Sequence, residues 1–484
     1  MRQKSTAGMA SLLLLFSVGC SARSRVVSPE EICGEYWMGI YLLGYKVGFS
    51  HINVEQDKES RRGGFRILSE SRINVSILGQ QMQTEVVSLE QAGPDLAPKH
   101  LDTLVTSGGR SMRVVAEFKP EEVRCQVTSG DETSDRVVPI PEGVRLDADP
   151  ELSSRARDLQ PGEEQKFHYF NPLTLAIEAG ALKALRWEET EYQGKQVKAL
   201  AIELKTDSMA LTSWADEEGE VIKMAHAMGL TMVREPKEVA LQGETREYAP
   251  APDLASVARV RTAEPISNPR GLSLLRVRIS GLGEMRSLPN GRQRVVSRND
   301  KELVLEVKAK ALPDSGPSLP FEEETLKPYL QSTNYINSAS EEIVSLARSI
   351  VGQEKDSARV AREIATWVNQ NLRPRGDMGV VRAATDVLAT RSGVCRDYAA
   401  LYTALARAAG LPTRLAGGLC YWRDGFYYHA WAESYLGEWV AVDPTIESLY
   451  ADATHIKLTE GDLTDLFTIG AYIGRMEIEV LEAK

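Results

Sequence analysis

The 484-residue sequence predicts an α+β protein in which an antiparallel β-rich region precedes a C-terminal domain of helices followed by strands. Three observations carry this. From Glu35 to about Arg246, apolar residues recur at every second position: Ile73, Val75 and Ile77 alternate with Asn74 and Ser76. That period belongs to sheets with one buried face. Past Pro320 the apolar period becomes helical, and after a helix expected to begin at or near Cys395 strand-like stretches return.

The length implies two or three domains. Composition is that of a globular protein, with 43% apolar and 26% charged residues. The net charge of −11 argues against nucleic-acid binding, which needs clustered Lys and Arg to displace counterions. Arg2 and Lys4 precede an apolar run, Leu12 to Phe16, that ends in small residues at Gly19 and Cys20. The run is too short for a permanent bilayer span and fits a secretory signal over residues 1–19. It resembles a bacterial lipoprotein signal, which implies Cys20 as the lipidated first residue of the mature chain, although Ser17 stands where an aliphatic residue is usual. A plain secretory signal cleaved near the same place is the alternative. The expected location is the bacterial cell envelope, as a membrane-anchored lipoprotein on its periplasmic or extracellular face. In such a compartment Cys33 and Cys125 are candidates for a disulfide, with two buried free thiols as the alternative.

Residues 20–250 read as the β-rich domain. Leu200, Ile202 and Leu204 continue its alternation, and Trp214 to Ile222 reads as a hairpin turning at Gly219. Between about Lys119 and Gly162 the Pro-, Asp- and Glu-rich sequence predicts a long surface connection. Glu247 to Pro252 is a candidate linker. Residues 251–325 form a strand-rich connecting segment, with Leu275, Val277 and Ile279 and then Leu303, Leu305 and Val307 at period two.

The C-terminal domain is placed at 326–475. Ile343, Leu346, Ala347, Ile350 and Val351 make one helical stripe, with Ser338 and Glu341 as a candidate capping box. Val360, Ile364, Trp367 and Val368 make a second, stopped by Pro374. Tyr398, Leu401, Tyr402, Leu405 and Ala408 make a third, closed by Gly410 and Pro412. Strands are predicted at Thr413–Trp422, Phe426–Tyr435 and Glu438–Asp443.

Three residues in this domain carry chemistry. Cys395 follows Gly393 and opens a helix, where unpaired N–H groups and a nearby imidazolium favour the thiolate. His429 lies on a predicted strand and would take the thiol proton and return it to a leaving amine. Asp443 begins Asp-Pro-Thr at a strand exit and would hold the His429 ring in one tautomer. Nucleophile, base and orienting carboxylate together are what acyl transfer through a thioester requires. Arg396 and Asp397 read as helix-start charges, Trp431 and Trp439 as core aromatics, Glu433 as a salt-bridge partner and Cys420 as a buried thiol. Trp367 reads as core packing. The backbone N–H of Cys395 is the default oxyanion donor. His51, His100, His168, His226 and His455 show no partner pattern.

The segments Gly393-Val394-Cys395, Arg407 to Arg414, His429-Ala430-Trp431-Ala432-Glu433 and Trp439 to Thr445 resemble the transglutaminase-like superfamily and its papain-like arrangement of Cys, His and Asp. The resemblance spans roughly 326–471. It implies Cys395 as nucleophile, His429 as base and Asp443 as orienting carboxylate, acting on a peptide or protein amide without a cofactor. Whether water or an amine accepts the acyl group stays open, with hydrolysis favoured because bacterial members with this layout more often look like peptidases. The β-rich remainder resembles the curved antiparallel half-barrels found beside such domains in bacterial envelope proteins. Two other readings remain: a non-catalytic envelope binding or scaffold module with a vestigial triad, and a zinc site built on the same Cys, His and Asp.

Overall fold

The computed structural model describes residues 29–58, 63–77, 79–129, 132–148, 159–206, 209–227, 229–242, 253–282, 291–375 and 381–484. The expected signal, Cys20 and the expected linker at 247–252 lie outside these residues. The chain divides into two compact units, with the division between Leu254 and Ala255.

In the first unit the period-two pattern folds into one fourteen-stranded antiparallel sheet. Its centre is Gly34–Leu42, which pairs with Tyr45–Gln56 on one side and with Leu230–Arg234 on the other. One meander runs outward through Phe65–Ile77, Gln80–Ala92, Pro98–Ser107 and Arg110–Phe118 to Glu122–Ser129 and Glu132–Pro139. The other runs through Val221–His226, Ala210–Ala215, Lys195–Thr206 and Ala176–Tyr192 to Glu164–Asn171. Alternation does what it should: along Gln80–Ala92, Met82, Thr84, Val86, Ser88, Glu90 and Ala92 point inward and their neighbours outward. The expected hairpin forms between Ala210–Ala215 and Val221–His226, and Gly219 adopts the positive φ of +80° that its turn requires.

One expectation fails in this unit, and one open choice is decided. The expected surface connection at Lys119 to Gly162 contains the last two strands of one meander, Glu122–Ser129 and Glu132–Pro139. They lie at and next to a sheet edge, where outward positions such as Arg124, Gln126 and Asp135 are polar and the apolar alternation is thin. The Cys33–Cys125 disulfide does not form, and both thiols are free. Cys33 packs beside Ile32 against Ile52, Val54 and Phe65, whereas Cys125 sits on Glu122–Ser129, paired across Ala116 and Arg136. Five strands intervene, roughly 29 Å along the sheet at ~4.8 Å per strand, well beyond disulfide reach. Burial pushes the Cys125 thiol up to about 12.

In the second unit, strands Leu274–Ser280 and Glu302–Lys308, both expected from their alternation, pair with each other. Gln293–Arg298 joins one side and the C-terminal Glu477–Ala483 the other. Leu275, Val277, Ile279, Leu305 and Val307 are fully buried between them and the rest of the unit. The functional elements follow: helices α1 (Glu341–Val351), α2 (Ser357–Asn371), α3 (Ala384–Thr390) and α4 (Cys395–Ala408), then strands β1 (Thr413–Trp422), β2 (Gly425–Tyr435), β3 (Trp439–Val442) and β4 (Ile456–Gly461). β2 lies beside β1, and β1 beside β4; β3 and the short Val260–Arg261 pair with the two ends of β2.

The α1 cap is Ser340, not Ser338: the Ser340 hydroxyl accepts from the Ile343 N–H, while Ser338 is buried just before it. Asp356 caps α2 by accepting from the N–H groups of Ala358 and Arg359. α3 had no sequence expectation. Its seven residues are too few to show a helical period. α4 is buried on every side from Cys395 to Arg407, including the charged Arg396 and Asp397. It is the central helix of the domain, packed on α1, α2, α3 and the inner face of β1 and β2.

Candidate active site

The turn before α4 is built to hold Cys395 in one place. Asp397 accepts the Val394 N–H at 2.9 Å and an Arg382 N–H at 2.5 Å through the same oxygen, Oδ2. Arg382 also donates to the Ser392 carbonyl and to Thr390 Oγ1. A Cβ on Gly393 would lie 2.5 Å from the Asp397 Cβ and 2.8 Å from its Oδ2, so only glycine fits this approach. Short parallel pairing of Arg373–Pro374 with Ser392–Gly393 and the bond from Tyr398 OH to the Leu372 carbonyl tie the turn to the end of α2. Asp397 is therefore both helix-start charge and anchor for the turn that carries Cys395.

His429 lies on β2 opposite Gly418 of β1, and Asp443 follows β3. The His429 Nε2 and Asp443 Oδ2 are 2.8 Å apart, with both side chains almost fully buried. The other Asp443 oxygen accepts from the N–H and hydroxyl of Thr445, at 2.9 and 2.6 Å. Asn369 on α2 holds this loop by donating to the Pro444 carbonyl. With Nε2 committed to Asp443, the other nitrogen of His429, Nδ1, is buried and open to the Cys395 sulfur, which acts on the ring to raise its pKa. The structure thus brings together Cys395, His429 and Asp443, the three residues singled out from the sequence.

Electrostatics follow from that geometry. Burial works to lower the His429 pKa, but the Asp443 carboxylate and then the Cys395 sulfur raise it to about 9. Burial works to raise Asp443, and the His429 and His455 imidazoles overcome it, holding the carboxyl well below its usual range. An imidazolium against Cys395 favours the thiolate there.

His455, given no role from the sequence, is the main addition. It is fully buried, its Nε2 is 3.1 Å from Asp443 Oδ2, and its Nδ1 is 3.1 Å from Asp452 Oδ1. Arg270, from the segment before the domain, pairs with Asp452 and reaches Cys420 Sγ at 3.3 Å. Arg292 donates to the carbonyls of His455 and Asp452. The spacing around Asp443 carried no signal for His455; the only hint was the carboxylate three residues earlier.

The remaining expectations can be placed. Trp431 is buried against both imidazoles, with ring centroids 6.1 Å from His429 and 5.3 Å from His455. Trp439 stacks under the Arg414 guanidinium. Glu433 pairs with Arg414 at 2.8 Å and Lys457 at 3.0 Å, as a buried structural ion pair. Cys420 is buried and borders His455 at 3.8 Å. Trp367 lies under Arg391 on the half-buried side of α2. Elsewhere, His51 stacks on Trp37, His100 pairs with Glu117 and His226 is buried.

His429, Asp443 and His455 are also the group among the described residues whose ligand atoms gather closely enough for a metal ion, within 4.8 Å of one another. Cys395, which the zinc reading required, is not in that group. Ligands at ~2.0 Å from a shared tetrahedral zinc sit about 3.3 Å apart, whereas His429 lies 2.8 Å from the Asp443 oxygen in a direct hydrogen bond. The set fits a hydrogen-bonded chain rather than a metal centre.

No curated protein matches the sequence. Among solved structures, the chain is similar to a "putative cysteine protease" from Cytophaga hutchinsonii, at 20% identity and a TM-score of 0.32, covering 43% of this chain and 81% of that one. A β-barrel-like protein of a domain of unknown function from Brucella abortus matches at 11% identity and a TM-score of 0.29, over 42% of this chain and 96% of that one. A "putative protease" from Parabacteroides distasonis matches at 12% identity and a TM-score of 0.19, over 79% and 70% of the two chains. Residues 344–444 match the transglutaminase-like superfamily, and this span runs from α1 to the residue after Asp443. The chain therefore carries a transglutaminase-like domain, with the Cys, His and Asp arrangement in its interior.

Proposed function

We propose that the protein is a thiol acyl-transfer enzyme of the cell envelope that acts on amides of peptides or proteins through a thioester on Cys395. The observation that carries the reading is the buried set Cys395, His429 and Asp443 in one domain, with Asp443 bonded to the His429 ring and the Cys395 sulfur acting on that ring. The Cys395 thiolate attacks the amide carbonyl carbon, and the His429 imidazolium gives its proton to the departing amine nitrogen. Asp443 keeps the ring oriented and its charge offset through both steps. Neutral His429 then takes a proton from the incoming acceptor, which breaks the thioester and restores the thiolate–imidazolium pair. The start of α4, with the Cys395 backbone N–H, is where the oxyanion would be stabilised.

Hydrolysis is favoured over transfer to an amine. Cys395 is 2% and His429 4% exposed, which admits water more readily than a protein-borne lysine. Attachment through a lipid on Cys20 completes the proposal, and no helix of the described residues is long and apolar enough to cross a membrane.

The test is the pH dependence of iodoacetamide labelling at Cys395, followed by mass spectrometry, beside His429→Ala. Rapid labelling below about pH 7 that slows in the variant supports the reading. Labelling only near the ordinary thiol value of ~8.5, unchanged in the variant, overturns it and leaves the scaffold reading. Insensitivity to chelator is expected throughout. Cys20→Ala is expected to move the protein from the membrane to the soluble fraction.

A further inference from the structure

His455 lies in a stretch of sequence that shows no partner for it, yet it touches the orienting carboxylate. Asp443 Oδ2 accepts from two rings, His429 at 2.8 Å and His455 at 3.1 Å. The far nitrogen of His455 meets a second carboxylate, Asp452 Oδ1, at 3.1 Å. Ionised carboxylates only accept, so a ring with a carboxylate at each nitrogen carries a proton on both. Asp452 is itself fixed by Arg270 and by the N–H and hydroxyl of Thr454. Arg292, buried beneath, binds the His455 carbonyl at 2.6 Å and so pins the backbone that carries the ring. The result is a line of alternating charge, Arg270, Asp452, His455, Asp443, His429 and Cys395.

We propose that His455 is a positioning residue for the thiol site: it anchors the Asp443 carboxylate that orients His429 and keeps a cation beside the His429 ring. The inference rests on the thiol-enzyme reading and deepens it. The groups facing His455 are Asp443, His429, Asp452, Arg270, Cys420 and Arg292. Its ring centroid is 5.4 Å from that of His429. At that distance a fixed cation opposes protonation of His429 and favours ionisation of the thiol beyond it. Asp443 alone would hold the imidazolium too tightly to release its proton easily to a leaving group; His455 moderates that hold. The direction of the His455 pKa agrees, since burial works to lower it and Cys420, Asp452 and Asp443 raise it well above the usual histidine value.

The experiment uses the full chain and iodoacetamide as probe. His455→Gln keeps an N–H donor for Asp443 and removes the charge; Asp452→Asn removes the second carboxylate with little change of shape. In both, the acid limb of Cys395 labelling is expected to move up by about one pH unit, so that labelling on that limb slows about tenfold. His455→Phe, which lacks the donor as well, is expected to lower the plateau rate besides. Folded His455→Gln and Asp452→Asn variants with the wild-type profile would overturn the proposal. NMR of isotope-labelled histidine in the wild-type protein supplies a second, independent test. His455 is expected to stay doubly protonated from about pH 5 to pH 8, and a neutral ring at about pH 7 overturns the inference without any variant. His429→Ala separates this failure from that of the parent reading: if it too leaves labelling unchanged, the triad itself is lost.

Discussion

On the inner face of the fourteen-stranded sheet the buried polar side chains include neutral pairs reaching to the next strand. Ser50 meets Ser71 at 2.8 Å, Thr84 meets Ser107 at 2.7 Å and Ser88 meets Thr103 at 2.8 Å. In the C-terminal unit many of the buried polar groups are charged and linked into chains, through Asp443, His455 and Asp452 and through Arg414, Glu433 and Lys457. A neutral hydroxyl pair is a local matter that two apolar residues could replace. A buried charge forces its neighbours to be charged as well, because an unpaired ion in the interior is far more costly than an unpaired hydroxyl. The sheet tolerates polarity, while the transglutaminase-like domain is organised around it.

The largest break in this contrast should come at Glu433. Its Oε2 accepts from Arg414 and Lys457, and Lys457 and Glu433 are almost wholly buried. Glu433→Ala leaves Arg414 and Lys457 sharing the partly exposed Glu460 as their remaining anion and should cost about 3 kcal/mol, read by urea unfolding of the second unit. Replacing all three residues with apolar ones of similar size should recover most of that loss. Burial works to raise the Glu433 pKa, and Lys457 and Arg414 hold it below the ordinary 4.5. Its stabilising contribution is therefore present above 4.5 and lost as pH falls through the depressed value.

His429→Ala comes next and should slow Cys395 labelling at about pH 6 by roughly 100-fold with the fold intact, since the imidazolium that favours the thiolate is gone. The pH profile of stability sharpens the point. The folded His429 titrates at about 9 against an ordinary 6.5. Its contribution is fully present below about 6.5 and is lost as pH rises towards 9. Wild-type protein should lose stability across that window relative to His429→Gln, measured by thermal unfolding at several pH values.

Local signals in the sequence reached as far as local physics did. Cys395, His429 and Asp443 were legible because each sits in a short run whose backbone role is readable: a glycine turn into a helix, a strand, and Asp-Pro-Thr at a strand exit. The helices at 341–371 were legible from their apolar stripes, while the strands at 413–442, buried on both faces, showed only as strand-like runs after the cysteine helix. Arg270 and Arg292 were not legible, because their partners lie more than 150 residues away in sequence; His455 was not, because its contact with Asp443 forms only once the chain between them folds back. The two outer strands at 122–139 were hidden by the same cause in reverse: an edge needs polar residues, and polarity reads as loop. The buried roles of Arg396 and Asp397 were obscured because charges on a helix are normally solvated.

Gly393→Ala should give a smaller effect than either charge change. The added methyl would meet the Asp397 Cβ at 2.5 Å, and displacing it disturbs the carboxylate that fixes the Val394 N–H and Arg382. A cost of about 1–3 kcal/mol is expected, together with slower Cys395 labelling. Asp397→Asn, which keeps the shape and loses the charge, would show whether the turn or the ion pair matters more.

The smallest effect belongs to the sheet. Ser88 and Thr103 are buried at 2% and 1% exposure and bond to each other across neighbouring strands. Ser88→Ala should cost about 1 kcal/mol, because Thr103 loses its partner inside the sheet. Adding Thr103→Val removes the stranded hydroxyl, so the double variant should be no less stable than the single one. The coupling energy from the four proteins should be about 1 kcal/mol, against several for the Glu433 and Lys457 pair. Equal couplings would mean that charge is not what separates the two interiors, and the contrast between a tolerant sheet and a charge-organised domain would have to be abandoned.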